Sequence, residues 1–443
     1  MWKALRIGEK LLLKCKNAPR YRTFLSEAYQ CQEIWNKRFE LPTLQNVHVG
    51  NMFIEVDRKL SVHGQISAVD VDIFTHSIAD KDKVDELVHL VHSLRLTPET
   101  SNTLESTSHA LIRFLLEVGE IELLLQILDD RLNYGIFPDY FCYNIMMDRF
   151  IKEKDFASAA KVAALVMLQE DSGNPITNSF AIYSCHMHLN DPDKWKRVEE
   201  EKDDSTEEIK VRVKYLRNPY FDDHFDLREP SDLVGKTLAF FGKKLGGALG
   251  RSCQLRGLIL YKKYAEINTL IKKWIEGGTK QVVFKEALQL AKNHLSGLPE
   301  DQVTDEVKEL QNAFNTLEGC DLVEASFLQA IEDLVKTAVN EQADADILLQ
   351  CENYVKWEEI RSLVLQQHLA ELTRQKRIAQ ISEIKKDLSD RERILTFFER
   401  EEEIELEIEE RNMKKETEKD LPLVRRSALP EGYVLPENVP SRK

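Results

Sequence analysis

Four polar residues near the middle of the chain have side chains of the types that bind metal ions. Asp222, Asp223, His224 and Asp226 offer carboxylate and imidazole ligands at close spacing. Metal-assisted cleavage of phosphodiesters normally draws its carboxylates from separate helices or strands, whereas all of these ligands come from one short segment. The sequence therefore favours a solvated loop at this cluster over a catalytic metal centre.

Three further patterns contain ligand-forming residues but fit a structural role better. The soft ligands of residues 185–188 (Cys-His-Met-His) point in different directions on a helix and cannot meet one ion. His89 and His92 share a helix face but lack a second ligand pair. Residues 235–237 (Gly-Lys-Thr) imitate the end of a phosphate-binding loop, but Pro230 occupies the position of the required earlier glycine. We therefore expect no catalytic residues, no metal site, no cofactor and no enzymatic activity.

One basic segment, residues 233–280, offers the chemistry of phosphate recognition, because its lysines and arginines far outnumber its acidic residues. Tyr261, Tyr264 and Trp274 lie among these charges, and aromatic faces can stack on unpaired bases. The cations that we predict to contact RNA are Lys243, Lys244, Arg251, Arg256, Lys262, Lys263, Lys272 and Lys273. The sequence leaves one alternative open, an amphipathic helical pair with solvated lysines.

The composition limits the class of protein. The 443 residues can form two or three domains, and 42% hydrophobic with 31% charged residues is typical of a soluble helical protein. No apolar run approaches the roughly 18 residues of a membrane-spanning helix, so we expect no membrane association. The seven cysteines are scattered without a CxxC pair, which indicates reduced thiols and neither a disulfide framework nor a zinc site.

The first 24 residues differ from the acidic remainder of the chain. They contain seven basic residues and one acidic residue, with apolar groups interspersed. This balance is typical of a mitochondrial transit peptide, and Lys10 and Lys14 interrupt the apolar core that a secretory signal needs. We predict a transit peptide over residues 1–24 and a location in the mitochondrial matrix; a basic surface helix is the alternative.

The first part of the chain contains a structural repeat. When the chain is shifted by 35 residues, Leu111-Ile112 coincides with Met146-Met147, and Leu115-Leu116 coincides with Phe150-Ile151. A fixed period in this range is typical of stacked helix pairs, which make binding surfaces. We predict an array of three or four units over residues 25–190, with its clearest unit at 135–171.

The clearest unit resembles the pentatricopeptide repeat. The residues that carry the resemblance are Tyr143-Asn144, the apolar triplet that follows, Phe150-Ile151-Lys152 and the Ala159-Ala160 pair. The resemblance implies single-stranded RNA as the ligand class, with Asn144 facing a base and Asn174 acting with it at the end of the unit. The preceding unit offers His109 with Asp139, which departs from the usual pattern, and the array is short. We therefore predict contact with the shape and phosphates of folded RNA rather than base-specific reading.

The C-terminal part has a different character. After a charged connector at 191–232 and the basic helical region at 233–300, residues 301–420 are rich in charge and free of proline, which predicts long helices. Their spaced apolar residues indicate either a coiled coil or a seam for docking on a partner. These residues are Ile381, Ile384, Leu388, Leu395 and Phe398. The acidic stretch at 399–410 suits a basic protein partner, and the proline-rich tail at 421–443 has low helix tendency.

The predicted fold class is all-α, a short pentatricopeptide-type solenoid followed by further helices and a long charged C-terminal helical region. The order of parts, with Leu25–Tyr29, Trp35 and the Tyr-Gly-Ile-Phe-Pro-Asp sequence at 134–139, resembles pentatricopeptide-repeat proteins of the mitochondrial small ribosomal subunit. The resemblance implies a non-catalytic component that contacts ribosomal RNA and neighbouring ribosomal proteins in mitochondrial translation, with no small-molecule substrate. The alternative is a free mitochondrial RNA-binding factor for transcript stability or processing.

Overall fold

The computed structural model shows an all-α protein, which confirms the predicted fold class. Seventeen α-helices and no strand occur in the part of the chain that it describes, where Phe284 and Val323 form one isolated bridge. The described residues are 24–195, 220, 222–278, 280–297, 305–396 and 398–420. Almost all of the predicted transit peptide, much of the connector and the whole tail lie outside these residues.

Ten helices precede the connector. They are α1 Gln32–Asn36, α2 Val49–His63, α3 Ala68–Ser77, α4 Val84–Arg95, α5 Glu105–Val118, α6 Ile121–Asp129, α7 Arg131–Tyr134, α8 Tyr140–Glu153, α9 Phe156–Leu168 and α10 Pro175–His188.

Seven helices follow the connector. They are α11 Pro230–Leu245, α12 Gly247–Leu260, α13 Tyr264–Glu276, α14 Lys285–Ser296, α15 Asp305–Glu318, α16 Phe327–Leu395 and α17 Glu401–Asp420.

The repeat period is visible in the helix boundaries. Helices α5, α8 and α10 each have 14 residues, and successive members begin 35 residues apart at Glu105, Tyr140 and Pro175. Gly119 and Lys154, again one period apart, end α5 and α8 in the left-handed conformation, with φ of 87° and 60°. This conformation stops a helix and turns the chain towards the second helix of the pair.

Side-chain caps fix where helices α8 and α10 begin. Asp139 accepts a hydrogen bond from the Cys142 backbone N–H at 2.7 Å and caps α8. Asn174 accepts from the N–H groups of Ile176 and Thr177 at 2.9 and 3.1 Å and caps α10. These bonds satisfy backbone donors that a helix leaves unpaired at its N-terminus.

Helix α9 packs closely because one face carries small residues. The side chains of Ala159, Ala160, Ala163 and Ala164 are at most 3% exposed. Their size lets α9 lie against α8 and α10, so the apolar residues of neighbouring units form one continuous core.

Helices α11 and α12 form a hairpin of unusually close backbones. A Cβ atom added to Gly235 or Gly242 would lie about 2.6–2.7 Å from backbone atoms of α12. A Cβ atom added to Gly250 or Gly257 would lie about 2.4–2.5 Å from backbone atoms of α11. Such contacts do not occur between real side chains and backbone, so only glycine fits at these four positions.

Helix α16 has 69 residues and passes from one compact unit into another. The described residues up to Arg361 form the first unit, and those from Ser362 onwards, with α17, form the second. The boundary between the two units therefore falls inside residues 301–420, which the sequence analysis treats as one region. Among the described residues, no helix has the length and apolar character needed to cross a membrane.

Candidate nucleic-acid interface

The residue that the repeat resemblance assigns to base contact, Asn144, is buried on α8. Its exposed fraction is 0%, and both ends of its amide have protein partners. The Nδ2 group donates to the Tyr29 hydroxyl at 2.8 Å, and the Thr177 hydroxyl donates to Oδ1 at 2.7 Å. Because the side chain is fully buried and both ends of its amide are hydrogen-bonded, a base cannot reach it in this conformation.

The second residue of the predicted pair, Asn174, is held by α16. Its Nδ2 group donates to Asp346 Oδ2 at 3.0 Å, and the Tyr29 hydroxyl donates to the same oxygen at 2.8 Å. Gln342 donates to the other carboxylate oxygen at 2.9 Å. Burial, followed by the Asp346 charge, raises the pKa of Tyr29, so the phenol stays protonated as a donor. A carboxylate of the chain itself thus occupies the place predicted for a base edge.

One period earlier, α16 contacts the array again through Tyr354. Its hydroxyl lies 3.0 Å from Nε2 of His109, the residue equivalent to Asn144, and accepts from Arg113 Nη1 at 2.9 Å. The rings of His109 and Trp357 lie 5.0 Å apart. Burial lowers the pKa of His109 and so favours the neutral ring. In the neutral ring, Nε2 can accept a hydrogen bond from the Tyr354 hydroxyl.

A buried ion pair makes the third contact, between α16 and α3. Arg361 Nε donates to Asp72 Oδ2 at 2.8 Å, and these side chains are 2% and 0% exposed. The hydroxyls of Ser106 and Thr107 donate to the other Asp72 oxygen at 2.6 and 2.8 Å. Burial alone would raise the pKa of Asp72, but His76 and Arg361 hold it below its usual value. The carboxylate is therefore ionised and fully hydrogen-bonded.

The three contacts follow the spacing of the array. Asp346, Tyr354 and Arg361 are separated by eight and seven residues, which correspond to about 12 and about 10.5 Å of helix rise. Packed helices lie about 8–10 Å apart, so α16 meets successive units at about every second turn along one face. Helix α16 of the same chain therefore covers the face of the array that resembles a base-reading surface. Sequence reasoning missed these three residues, although polar and aromatic groups at near-heptad spacing are a signal for such a contact.

Two of the predicted cations, both on α12, serve the interior of the protein. Arg251 donates from Nε to the Val282 carbonyl at 2.7 Å and from Nη2 to the Gln281 carbonyl at 3.0 Å. Arg256 is only 9% exposed, and its Nη1 group lies 2.6 Å from His186 Nδ1. Neither guanidinium lies free on the surface.

Three of the predicted lysines pair with acidic groups at the surface. Lys262 lies 3.8 Å from Asp232, and Lys263 lies 3.6 Å from Asp223. Lys272 donates to Glu309 at 2.8 Å, and both side chains are more than half exposed. Exposed pairs of this kind contribute only about 0–1 kcal/mol, so an RNA phosphate could replace the carboxylate.

The remaining three lysines, Lys243, Lys244 and Lys273, are exposed. Lys244 Nζ lies 5.9 Å from the centre of the Phe240 ring. The structure therefore divides the predicted RNA-binding set. Asn144, Asn174 and Arg256 are buried, the partly buried Arg251 is held by two backbone carbonyls, and the lysines lie at the surface. Contact between the exposed lysines and RNA stays a prediction.

The aromatic residues of the basic segment are partly buried. Tyr261 lies between Lys236 and Lys263, whose Nζ atoms are 5.3 and 4.9 Å from the ring centre. Tyr264 and Trp274 pack against the second apolar core, which α12, α13, α14 and α15 enclose. The packing of these rings is a structural role that the sequence pattern does not distinguish from base stacking.

The clustered carboxylates at 222–226 hold a turn together. Asp222 accepts from the backbone N–H groups of His224 and Phe225 at 2.6 and 3.1 Å, and Asp226 accepts from the Asp222 N–H at 2.6 Å. His224 Nε2 lies 3.0 Å from the Leu168 carbonyl. These local bonds agree with the predicted solvated loop.

In the part of the chain that the structure describes, the group with ligand atoms close enough to hold a metal ion lies elsewhere, at the start of α8. His109, Asp139 and Cys142 place their ligand atoms within 4.8 Å of one another. Burial raises the pKa of the Cys142 thiol well above its ordinary value, and Asp139 already caps α8. Hydrogen bonding accounts for this group, because a metal would need the thiolate.

Comparison with known families gives one match that covers most of the chain. The sequence model of the family MRP-S27, described as mitochondrial 28S ribosomal protein S27, matches residues 3–419. The match includes the helical array, the basic segment and the charged C-terminal helices. The chain therefore belongs to the mitochondrial 28S ribosomal protein S27 family, whose members are proteins of the mitochondrial small ribosomal subunit.

Proposed function

We propose that the chain is a non-catalytic structural component of the small ribosomal subunit in the mitochondrial matrix, where it contacts ribosomal RNA and neighbouring proteins and supports translation. The observation that supports this function best is the occupied face of the array. A protein that selects RNA by sequence must present its base-reading residues, whereas here Asn144 and Asn174 hydrogen-bond to Tyr29, Thr177 and Asp346. The array therefore acts as a scaffold.

The proposed RNA contact is electrostatic and lies outside the array. Lys243, Lys244 and Lys273 are exposed, and Lys262 and Lys272 take part in weak surface pairs. Lysines at such positions neutralise phosphates without reading bases, and each phosphate contact makes binding more sensitive to salt. This type of contact suits folded ribosomal RNA, whose phosphates are accessible whatever the sequence.

The proposed protein contacts involve α16 beyond Arg361 together with α17. In this part of α16, Ile381, Ile384 and Leu388 are 53–58% exposed and lie on one helix face. Acidic residues far outnumber basic ones in α17. An acidic helix repels RNA and attracts a basic protein surface, so we assign this part of the chain to ribosomal protein partners.

The assembly proposal can be tested by sucrose-gradient fractionation of a mitochondrial lysate at moderate salt. Comigration of the chain with the small subunit is expected. Recovery only in light fractions would contradict the proposal and favour a free RNA-binding factor for transcript stability or processing.

The RNA contact needs a separate experiment on intact mitochondria. Charge reversal of Lys243, Lys244 and Lys273 should reduce ultraviolet crosslinking of the chain to ribosomal RNA. The control reverses three lysines elsewhere in the first unit, Lys59, Lys81 and Lys83, which lie outside the basic segment and form ion pairs with Asp70, Glu120 and Glu86. An equal reduction in both variants, or none in the first, would contradict the assignment of the basic segment.

A further inference from the structure

A cavity of about 540 Å³ opens between the end of the array and the α11–α12 hairpin. Its volume lies in the range of small-molecule sites, about 300–1,000 Å³. Val234, Ile259 and Leu260 form an apolar wall, and the polar groups of the lining come from His188, Glu229, Ser231, Arg256 and His294. The cavity belongs to the first compact unit and is separate from the contacts of α16 with the array.

The lining contains a buried positive charge, Arg256, that has no carboxylate partner among the residues that the structure describes. Arg256 is 9% exposed, and the contact that its guanidinium makes within the described residues is Nη1 to His186 Nδ1, at 2.6 Å. Burial lowers the pKa of Arg256 to about 10, so the side chain remains charged at neutral pH. Burial, followed by the Arg256 charge, lowers the pKa of His186 to about 3, so His186 is a neutral acceptor.

An unpaired buried charge is costly, and proteins retain one where it meets an oppositely charged group. The other groups that act on the Arg256 charge are the thiols of Cys185 and Cys253. Burial raises the pKa of both thiols, which keeps them neutral. None of the described groups that act on Arg256 carries a negative charge at neutral pH, so an anion bound in the cavity would balance the guanidinium.

Three neighbouring features also favour an anion. The N-terminus of α11 reaches the cavity at Pro230 and Ser231, and Glu229 makes no side-chain cap to it. Helix N-termini attract anions through their unpaired N–H groups and the helix dipole. His294 stands at the rim, where partial burial and the charges of Arg256 and Lys262 lower its pKa. Glu229 is the one carboxylate of the lining, and it limits how many negative charges the cavity can accept.

An aromatic ring accompanies the anion-binding groups. Trp195 lines the cavity, and its ring centre lies 5.6 Å from that of His188. An indole next to an apolar wall can stack on a nucleobase, while Arg256 and the α11 N-terminus face a phosphate. A nucleotide combines both chemistries in one ligand.

We propose that this cavity binds the phosphate group of a nucleotide through Arg256, with the base against Trp195. The phosphate belongs either to a free nucleotide or to a nucleotide of an RNA chain, and these sources share the same chemistry. The inference goes beyond the proposed function, because the cavity would bind a phosphate in the purified chain whether or not the chain contacts ribosomal RNA.

The test uses isothermal titration calorimetry on the full chain with inorganic phosphate, with AMP and with a short single-stranded RNA. Binding of AMP and at least one order of magnitude weaker binding by Arg256→Gln are expected, because a charge-assisted hydrogen bond is worth a factor of about ten or more. The matched control is Arg251→Gln on the same helix, whose guanidinium serves two carbonyls, and it should bind like the parent chain. Binding by AMP alone identifies a free nucleotide, and Arg256-dependent binding by the RNA identifies an RNA chain.

The buried position of Arg256 requires a second readout that does not depend on a variant. NMR titration of the histidines of the parent chain should show the pKa of His294 rising when AMP or inorganic phosphate is present, since a bound anion offsets the Arg256 and Lys262 charges. The pKa of His76, which is buried on α3 outside the cavity lining, serves as the internal reference. An unchanged His294 titration at millimolar AMP, or AMP binding that Arg256→Gln leaves intact, would overturn the proposal.

Discussion

The two parts of helix α16 share one secondary structure but have opposite environments. Before Arg361, residues such as Phe327, Ile331 and Val335 are at most 2% exposed and belong to the core of the first unit. After Ser362, apolar residues such as Ile381 and Leu388 are more than half exposed. Helix propensity sets the length of α16, whereas a few spaced side chains determine which part of the helix packs on the array.

The largest expected effect concerns the buried ion pair that ends the first part. Arg361→Ala should lower the free energy of unfolding by about 3–5 kcal/mol, because it leaves the Asp72 carboxylate buried without its partner. The control is Arg374→Ala in the second part, where the pair with Glu371 is exposed and the loss should stay within about 0.5 kcal/mol. Urea denaturation measures both. Equal losses of unfolding free energy in the two variants would contradict the distinction between the two parts of α16.

Acid should destabilise the buried contact between α3 and the first part of α16. Burial lowers the pKa of His76 to about 4, and its neutral ring bonds to the Asp72 carbonyl. Because the folded pKa lies below the unfolded value, the stability is present above about pH 6.5 and is lost as the pH falls towards 4. A shift of this size corresponds to about 3 kcal/mol. Urea denaturation across this range should show the loss, and His76→Gln should flatten the slope; an unchanged slope would contradict the prediction.

The hydrogen bonds of Asp346 should contribute less than the ion pair. Asp346→Ala leaves Tyr29 and Asn174 without an acceptor and should cost about 1–3 kcal/mol. Asp390→Ala in the second part is the matched control, since Asp390 is exposed. Thermal unfolding followed by circular dichroism compares the two variants. An unchanged unfolding temperature for Asp346→Ala would show that the array does not depend on this contact.

The smallest effect on stability is expected for the exposed apolar residues on the second part of α16. Replacement of Ile381, Ile384 and Leu388 by serine should change the free energy of unfolding by no more than about 0.5 kcal/mol, because these side chains are already solvated. The same variant should lose comigration with the small subunit in a sucrose gradient if the seam docks on a protein partner. Alanine at three exposed glutamines of the same part provides the control. Retained comigration of the serine variant would contradict the partner assignment.

The repeat could be predicted from the sequence because its signals are local. Leu111 and Met146 occupy equivalent positions one period apart, and residues such as Asp139 cap the helices within three residues. The filled face could not be predicted in this way, since the bond between Asn174 and Asp346 joins residues 172 positions apart. Periodicity shows that a face exists but not what covers it. For the same reason, the buried state of Arg256 was not evident among the lysines of the basic segment.

The close hairpin of α11 and α12 makes the protein sensitive to changes that alter no charge and no chemistry. Gly257 and Arg256 are neighbours on α12, as Gly235 and Val234 are on α11, and the second residue of each pair lines the cavity. A single methyl group at Gly257 would press on the Ala239 backbone and push the two helices apart. Inherited variants at these glycines should therefore have the effect of losing the cavity, although none of the four glycines lines it. The close approach that glycine permits between α11 and α12 therefore sets the shape of the cavity.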